Sequence, residues 1–324
     1  MILRCKLLLF LILLFPINIL AYSDYIIPGG TSIGIEIKTD GILIIGFYKT
    51  NGQNNPSSKA LKAGDKIVEV NGVEINTINE LIANIEKYMI NNSIDLTIKR
   101  NNNLFNTNLE LLYDGNTYKT GLYVKDSIAG IGTLTYIDPN TGLFGALGHE
   151  IIESNTNTRI EVKTGKIFKS VVTSVDRSTL GSPGGKNAKF YIDKTYGSID
   201  KNLDTGIYGV YNQTLPEIKT LKVANLDEVE KGKAYIYTVV DGEEVEKFEI
   251  NITKIDKKNK IKNIFFEVID ERLLEKTGGI VQGMSGSPII QGDNIIGAVT
   301  HVVVSSPRIG YGISIIKMLE DGEK

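Results

Sequence analysis

A serine set between glycines near the carboxyl end of the chain constrains the fold more than any other feature of the sequence. Residues 282–288 read Gln-Gly-Met-Ser-Gly-Ser-Pro, and an apolar pair, a polar turn and a second apolar run follow them. Glycine, serine and proline favour a tight turn, while the apolar runs predict strands beyond it. Such a turn exposes the hydroxyl of Ser285 and directs the backbone N–H groups of Gly283 and Ser285 to one point. Two N–H groups that converge in this way form an oxyanion hole.

The loop resembles the nucleophile loop of trypsin-like serine peptidases, in which a glycine stands two residues before the serine and a proline follows a pair of small residues. Ser287 replaces the second glycine that is usual there. Hydrolysis by Ser287 is an alternative assignment, but it leaves the oxyanion geometry without an explanation. An ordinary β-turn without a catalytic role is the other interpretation of the loop. A histidine base decides between them.

Serine is a weak nucleophile until a positioned base takes its proton, and the chain has two histidines. His149 ends a stretch of small residues, Gly-Ala-Leu-Gly-His, and precedes the serine as the base does in trypsin-like enzymes. We predict that it is the base; the neighbouring Glu150 could tune this base or face solvent, and we favour solvent. His301 lies 16 residues after Ser285, at a position that resembles a cleft-lining one.

The sequence does not decide which acidic residue orients the base. A trypsin-like spacing beyond His149 leads to Asp193 or Asp200, whereas Asp270 lies 15 residues before Ser285. Thr300 resembles a position whose hydroxyl bonds the acid in trypsin-like enzymes.

Composition excludes several other classes of function. The chain has 36 basic and 38 acidic residues, so it favours neither nucleic acid nor an anionic membrane surface as a partner. Its single Cys5 excludes an internal disulfide and a cysteine-based zinc site. Two histidines far apart in the sequence offer no motif of a chelating pair, and we expect no metal and no cofactor.

Residues 1–24 are predicted to be a signal peptide or a membrane anchor. Arg4 and Lys6 precede nine apolar residues, and a cleavage point is possible after Ala21. The apolar stretch is shorter than the roughly 20 residues of a membrane span, so a cleaved signal and a retained anchor both stay open. Export across a membrane follows in either case.

Residues 25–112 combine short strands with one helix, which Thr77 or Asn79 can cap. The run Lys-Ala-Gly-Asp-Lys-Ile-Val-Glu-Val-Asn-Gly at 62–72 resembles PDZ domains. By that resemblance, a peptide adds as a strand beside residues 33–37, with its carboxylate on nearby N–H groups. The predicted peptide-binding residues are Thr31, Ser32, Ile33, Gly34 and Ile35. The ligand could be a C-terminus or a segment of this chain, and a structural domain without ligand is the alternative.

Residues 113–122 look like a linker, and residues 123–324 read as strand after strand. About 200 residues of short strands suit either a sandwich or a pair of barrels.

The order of segments and motifs along the chain closely resembles that of the stage IV sporulation protein B peptidases of endospore-forming bacteria. A leader, a PDZ domain, the Gly-His motif at 148–149 and the Gly-Met-Ser motif at 283–285 carry this resemblance. It implies a mainly β chain, with an N-terminal PDZ-like α+β domain followed by a trypsin-like double β-barrel. It also implies His149 as base, Ser285 as nucleophile and Asp270 as acid.

The resemblance further implies a sporulation setting. Such peptidases act between the forespore and mother-cell membranes, cleave themselves, and cut a regulatory partner in the complex of a membrane-embedded protease. Two alternatives are a catalytically inactive PDZ scaffold and a quality-control peptidase of the high-temperature-requirement type. The second places its peptidase before the PDZ domain, so the domain order counts against it.

Overall fold

The computed structural model describes residues 22–323. The predicted signal peptide or anchor therefore lies almost wholly outside the described residues, as does Cys5. No helix within residues 22–323 is long and apolar enough to span a membrane.

Strands dominate the described chain. The helices are α1 (Ile78–Tyr88), α2 (Glu271–Thr277) and α3 (Ile315–Glu323), and Pro56–Lys59 and Leu226–Glu228 form 3-10 turns. The strands are β1 (Tyr25–Pro28), β2 (Ser32–Phe47), β3 (Lys66–Val70), β4 (Val73–Glu74), β5 (Ser93–Arg100), β6 (Asn103–Glu110), β7 (Leu112–Tyr113), β8 (Tyr118–Lys119), β9 (Leu122–Ile137), β10 (Leu143–Ala146), β11 (Ile152–Glu153), β12 (Thr158–Arg159), β13 (Thr164–Asp176), β14 (Gly185–Leu203), β15 (Gly206–Tyr211), β16 (Leu221–Val223), β17 (Gly232–Thr238), β18 (Glu246–Ile255), β19 (Ile264–Val268), β20 (Pro288–Gln291), β21 (Asn294–Val303) and β22 (Ser306–Ser314).

Six antiparallel strands close the first barrel, in the order β2, β9, β10, β15, β14, β13 and back to β2. Alternate side chains of β2 point into it, as the period of two in a strand requires. Ile33, Ile35 and Ile37 are at most 2% exposed and pack with Phe144, among others.

The second barrel also closes from six strands, in the order β17, β18, β19, β22, β21, β20 and back to β17. Its core includes Phe248, Phe266 and Met284, which are at most 1% exposed. The pair of barrels is therefore the architecture, and the sandwich alternative is wrong.

The predicted PDZ-like unit is inserted between the two strands of a barrel hairpin. Beyond Lys38, β2 leaves the barrel and pairs with β3 and with the start of β9, and β3 and β5 extend this sheet. Its own apolar core includes Leu81 of α1. The predicted cap at Thr77 is confirmed, because its side chain accepts from the backbone N–H of Glu80, which bonds back in a capping box.

This topology corrects the predicted domain boundaries, 25–112 and 123–324. The first half of β2 lies inside the peptidase barrel, so residues on both sides of the PDZ-like unit build one domain. The predicted linker, 113–122, includes part of the short hairpin of β7 and β8.

The same pairing overturns the predicted peptide site at Thr31, Ser32, Ile33, Gly34 and Ile35. Ile33 to Ile35 pair with β9 on one edge and with β13 on the other. Strand addition needs a free edge, and this segment has none.

Candidate active site

A cleft of about 610 Å³ lies where the two barrels meet. Ser285, Gly283, His149 and His301 border it, together with Glu150 and Gln282. The first barrel supplies the apolar part of its wall, which consists of Ile35, Ile128, Ala129, Ile131, Leu147, Ile151 and Ile152. The structure thus brings the predicted nucleophile and base into one cleft.

Backbone and hydroxyl contacts hold the serine loop against the first barrel. The Thr133 N–H donates to the Ser285 carbonyl at 2.9 Å, and the Thr135 hydroxyl donates to the Gly286 carbonyl at 2.7 Å. Gly286 has a φ of +92°, and a Cβ there would lie 2.1 Å from the Thr133 carbonyl oxygen. Only glycine permits this close approach.

The peptides around Gly283 leave two N–H groups without an acceptor in the described chain, and both belong to residues that line the cleft. The Gln282 carbonyl accepts from the Lys186 N–H at 3.0 Å, and the Met284 carbonyl accepts from the Ser287 N–H at 2.9 Å. In a trans peptide the N–H points away from the carbonyl. The N–H groups of Gly283 and Ser285 therefore point away from these partners, and neither donates to another group among residues 22–323. Both are available to a ligand.

His149 is held in the tautomer that a base needs. Its Nδ1 lies 2.8 Å from the Glu150 carbonyl oxygen, which only accepts hydrogen bonds. Nδ1 therefore carries the proton, and Nε2 keeps its lone pair. Burial lowers the pKa of His149, and the Glu150 contacts oppose that shift. The neutral form of the imidazole is thus favoured.

A glycine brings His149 close to the second barrel. Gly148 has a φ of +71°, and a Cβ there would lie 2.9 Å from Cγ2 of Thr300. Any larger residue would push the histidine away from β21, which carries Thr300.

The hydroxyl of Ser285 donates to the Thr300 carbonyl oxygen at 3.1 Å. This contact differs from the serine–histidine hydrogen bond of a primed nucleophile. No hydrogen bond joins Ser285 to His149 among residues 22–323, so the serine hydroxyl must exchange the Thr300 carbonyl for the histidine before attack.

His301 lies beside the base, with its ring centre 5.4 Å from that of His149. The Thr300 hydroxyl donates to the Tyr311 carbonyl at 3.1 Å, and it accepts from Nδ1 of His301 at 2.9 Å. Burial, together with nearby His149, lowers the pKa of His301 to about 4. His301 is therefore a neutral wall of the cleft at pH 7, and the Thr300 hydroxyl bonds a carbonyl where an aspartate was expected.

Asp270 lies at the start of α2 and caps that helix. Its carboxylate accepts from the backbone N–H groups of Arg272 and Glu249, both at 3.1 Å, and from the Arg272 guanidinium at 2.9 Å. Burial raises the pKa of Asp270, but the contacts with Arg272 and Glu249 outweigh it and lower the pKa. No hydrogen bond joins it to His149 among the described residues, so its role as the acid stays a prediction. Asp193 and Asp200 are exposed on β14.

Ser287 is fully buried, and its hydroxyl has no hydrogen-bond partner within the described chain. It is not among the residues that line the cleft bordered by Ser285. No cluster of three or more metal-ligating side chains occurs in residues 22–323.

Sequence analysis missed the residues that support the loop, Thr133, Thr135 and Lys186. The two threonines are two residues apart on β9, so they lie on the same face of the strand. This spacing was the available signal, whereas nothing near Lys186 in the sequence indicates that it is buried.

Comparison with known proteins finds two family models that match the chain. A family model described as SpoIVB peptidase S55 matches residues 116–319, and a PDZ domain model matches residues 33–111. No curated protein sequence matches the chain significantly.

Three solved structures are similar to parts of the chain. The PDZ domain of the SdrC-like protein from Listeria monocytogenes is 21% identical, over 28% of this chain and 93% of that chain, with a TM-score of 0.24. The active form of the Rv3671c protease from M. tuberculosis is 14% identical, over 59% of this chain and 71% of that chain, with a TM-score of 0.34. The HtrA-type protease AlgW with a decapeptide is 12% identical, over 61% of this chain and 52% of that chain, with a TM-score of 0.33.

Proposed function

The chain belongs to the SpoIVB peptidase S55 family, and from this premise we propose that it is a serine endopeptidase with Ser285 as nucleophile and His149 as base. One observation carries the proposal. The cleft that holds Ser285 also presents a histidine whose Nε2 keeps its lone pair, and two N–H groups that have no acceptor within residues 22–323. Acyl transfer needs a nucleophile, a base and an oxyanion site, and these groups supply all three.

The proposed reaction is acyl transfer to serine. The hydroxyl of Ser285 leaves the Thr300 carbonyl, Nε2 of His149 takes its proton, and Oγ forms a bond to the substrate carbonyl carbon. The N–H groups of Gly283 and Ser285 bind the resulting oxyanion. His149 then gives its proton to the leaving amine as the C–N bond breaks, and water releases the acyl group by the same sequence.

The third member of the triad is the group that orients His149. The family resemblance assigns Asp270, while the contacts of His149 show the Glu150 carbonyl at Nδ1. A carbonyl at this position holds the ring and its tautomer. The negative charge of Glu150 favours the imidazolium that forms during catalysis.

The substrate we propose is a protein segment in extended form. The cleft wall from β2, β9 and the residues after His149 is mainly apolar, which suits aliphatic side chains near the scissile bond. The family resemblance adds a regulator of a membrane-embedded sigma-factor-processing protease as substrate, self-cleavage near the N-terminus, and a peptide ligand for the PDZ domain. It also adds export into the space between forespore and mother-cell membranes, in secreted or N-terminally anchored form.

Hydrolysis by the full chain tests the proposal. We expect cleavage of fluorescent casein, or of the chain's own N-terminal region seen by mass spectrometry, in the natural protein and in Ser287→Ala. We expect none in Ser285→Ala. A natural chain that is folded, binds peptides and cleaves neither would favour the alternative of an inactive PDZ-containing scaffold.

A further inference from the structure

Lys186 buries its amine beside no acidic side chain of the described residues. It lies at the start of β14, where that strand meets the serine loop, and it is 6% exposed. No acidic side chain forms an ion pair with it among the described residues. Burying a charge without a counter-charge is costly, so a chain that keeps one there requires a reason.

The contacts of Lys186 centre on the peptides that flank Gly283. Its backbone N–H donates to the Gln282 carbonyl at 3.0 Å, which fixes the peptide that carries the Gly283 N–H. Its carbon chain packs on Gly283, because a Cβ built on that glycine would lie 3.1 Å from the lysine Cδ. Its ammonium donates to the Thr238 hydroxyl at 2.9 Å and lies 3.5 Å from the Thr133 hydroxyl.

Thr133 extends these contacts to the other side of Gly283. Its hydroxyl donates to the Gly283 carbonyl at 2.7 Å, so its lone pairs are left for the lysine ammonium. The direction of donation therefore runs from Lys186 through Thr133 to Gly283. When Lys186 is protonated, it is a charged donor at the start of this chain of hydrogen bonds, and bonds in such a chain strengthen one another.

Gly283 needs this support because of its backbone conformation. Its φ is +91°, where glycine has wide freedom, and it exposes a peptide to the open cleft. A flip of the Gln282–Gly283 peptide would turn the N–H away and replace it with a carbonyl, which repels an oxyanion.

We propose that Lys186 is a positioning residue that, with Thr133, clamps both peptides of Gly283 in the conformation that binds the oxyanion. This inference rests on the proposed function and names the group that sets its oxyanion site. Burial lowers the pKa of Lys186 to about 7, so the amine is close to half protonated at neutral pH, and its charged form is held at a cost to the fold.

The test compares full chains by the rate at which a fluorophosphonate probe modifies Ser285, with its maximal rate and half-saturating concentration measured separately. We expect Lys186→Met to lower the maximal rate about tenfold to a hundredfold, less than the 10²–10³ of a lost oxyanion donor, and to leave the half-saturating concentration within about twofold. The melting temperature should stay the same or rise, because an apolar isostere removes the cost of the buried charge.

Matched variants separate positioning from packing. Lys189→Met changes an exposed lysine on the same strand and should leave the rate unchanged. Thr133→Val should lose rate as Lys186→Met does, since it lacks the donor to the Gly283 carbonyl, whereas Thr133→Ser should restore most of it.

Two results would overturn the inference while leaving the proposed function intact. One is a natural maximal rate in Lys186→Met. The other is a Lys186→Met loss of rate that follows a loss of melting temperature, with Thr133→Val at the natural rate. A folded natural chain that the probe does not modify at Ser285 would overturn the proposed function and this inference together.

Discussion

At the scale of single residues, the base is defined by two opposing influences. Burial lowers the pKa of His149, and the hydrogen bond to the Glu150 carbonyl and the Glu150 charge act in the other direction, with burial the larger. The residue remains neutral at pH values where an exposed histidine has begun to take up a proton. This is the state in which Nε2 accepts the serine proton.

A pH profile follows from this balance. Because the neutral imidazole is the active form, the rate of Ser285 phosphonylation should fall as pH decreases through an apparent pKa below the ordinary 6.5 of histidine. Glu150→Gln removes a charge that raises the pKa, so it should move this limb to still lower pH. A fall in the rate of the natural chain with an apparent pKa above 7 would contradict the burial of the base.

Asp270 is the residue at which resemblance and contacts lead to different expectations. Its hydrogen bonds cap α2 and pair with Arg272, so Asp270→Ala should lower the free energy of unfolding by about 1 kcal/mol. Asp270→Asn keeps a capping oxygen, and from these contacts we expect it to react with the probe within severalfold of the natural rate. A loss of about 10⁴-fold at unchanged melting temperature would instead establish the acid role that the family resemblance implies.

At the scale of elements, β2 is a shared strand. Its first half completes the first barrel and its second half begins the PDZ-like sheet, with Lys38 paired to Ser127 at the junction. Ion pairs such as Lys66–Glu161 and Lys163–Asp40 cross between the two parts at the surface, and such pairs contribute little. The barrel should therefore fold without the inserted unit.

Excision tests this view of the insertion. Replacing residues 39–126 with Asn-Gly should close β2 and β9 as an ordinary hairpin, because that pair of residues fits a type I′ turn. We expect a folded protein that still reacts with the fluorophosphonate. A chain that begins at residue 113 lacks Ile33, Ile35 and Ile37, which are buried in the barrel, and should not fold. If the excised chain failed to fold and the chain that begins at residue 113 folded, the domain boundary would instead lie at the linker predicted from the sequence.

At the scale of the whole molecule, local motifs were predictable and long-range pairing was not. The Gly-Met-Ser and Gly-His motifs carry local backbone conformations, and both line one cleft as the sequence indicated. The cap at Thr77 was likewise predictable from the sequence, because a capping box spans only four residues. Such features are set by short-range geometry.

Features that depend on partners far along the chain could not be predicted from the sequence. Nothing in the period-two pattern of residues 32–37 says whether a strand has one free edge or none, since that depends on β9 and β13 far along the chain. The burial of Lys186 depends in the same way on Thr133 and Thr238 from the two barrels. The triad acid was hard to choose for the same reason, because the hydrogen-bond partners of a carboxylate depend on which distant residues the fold places beside it.

The most direct test of the account is to find which residue of the full chain a fluorophosphonate probe modifies. Mass spectrometry of the peptide that contains residues 282–288 should place the phosphonyl group on Ser285 and not on buried Ser287. Modification should persist in Ser287→Ala and be lost in both Ser285→Ala and His149→Ala. Modification of Ser287, or a rate in His149→Ala equal to that of the natural chain, would contradict the account.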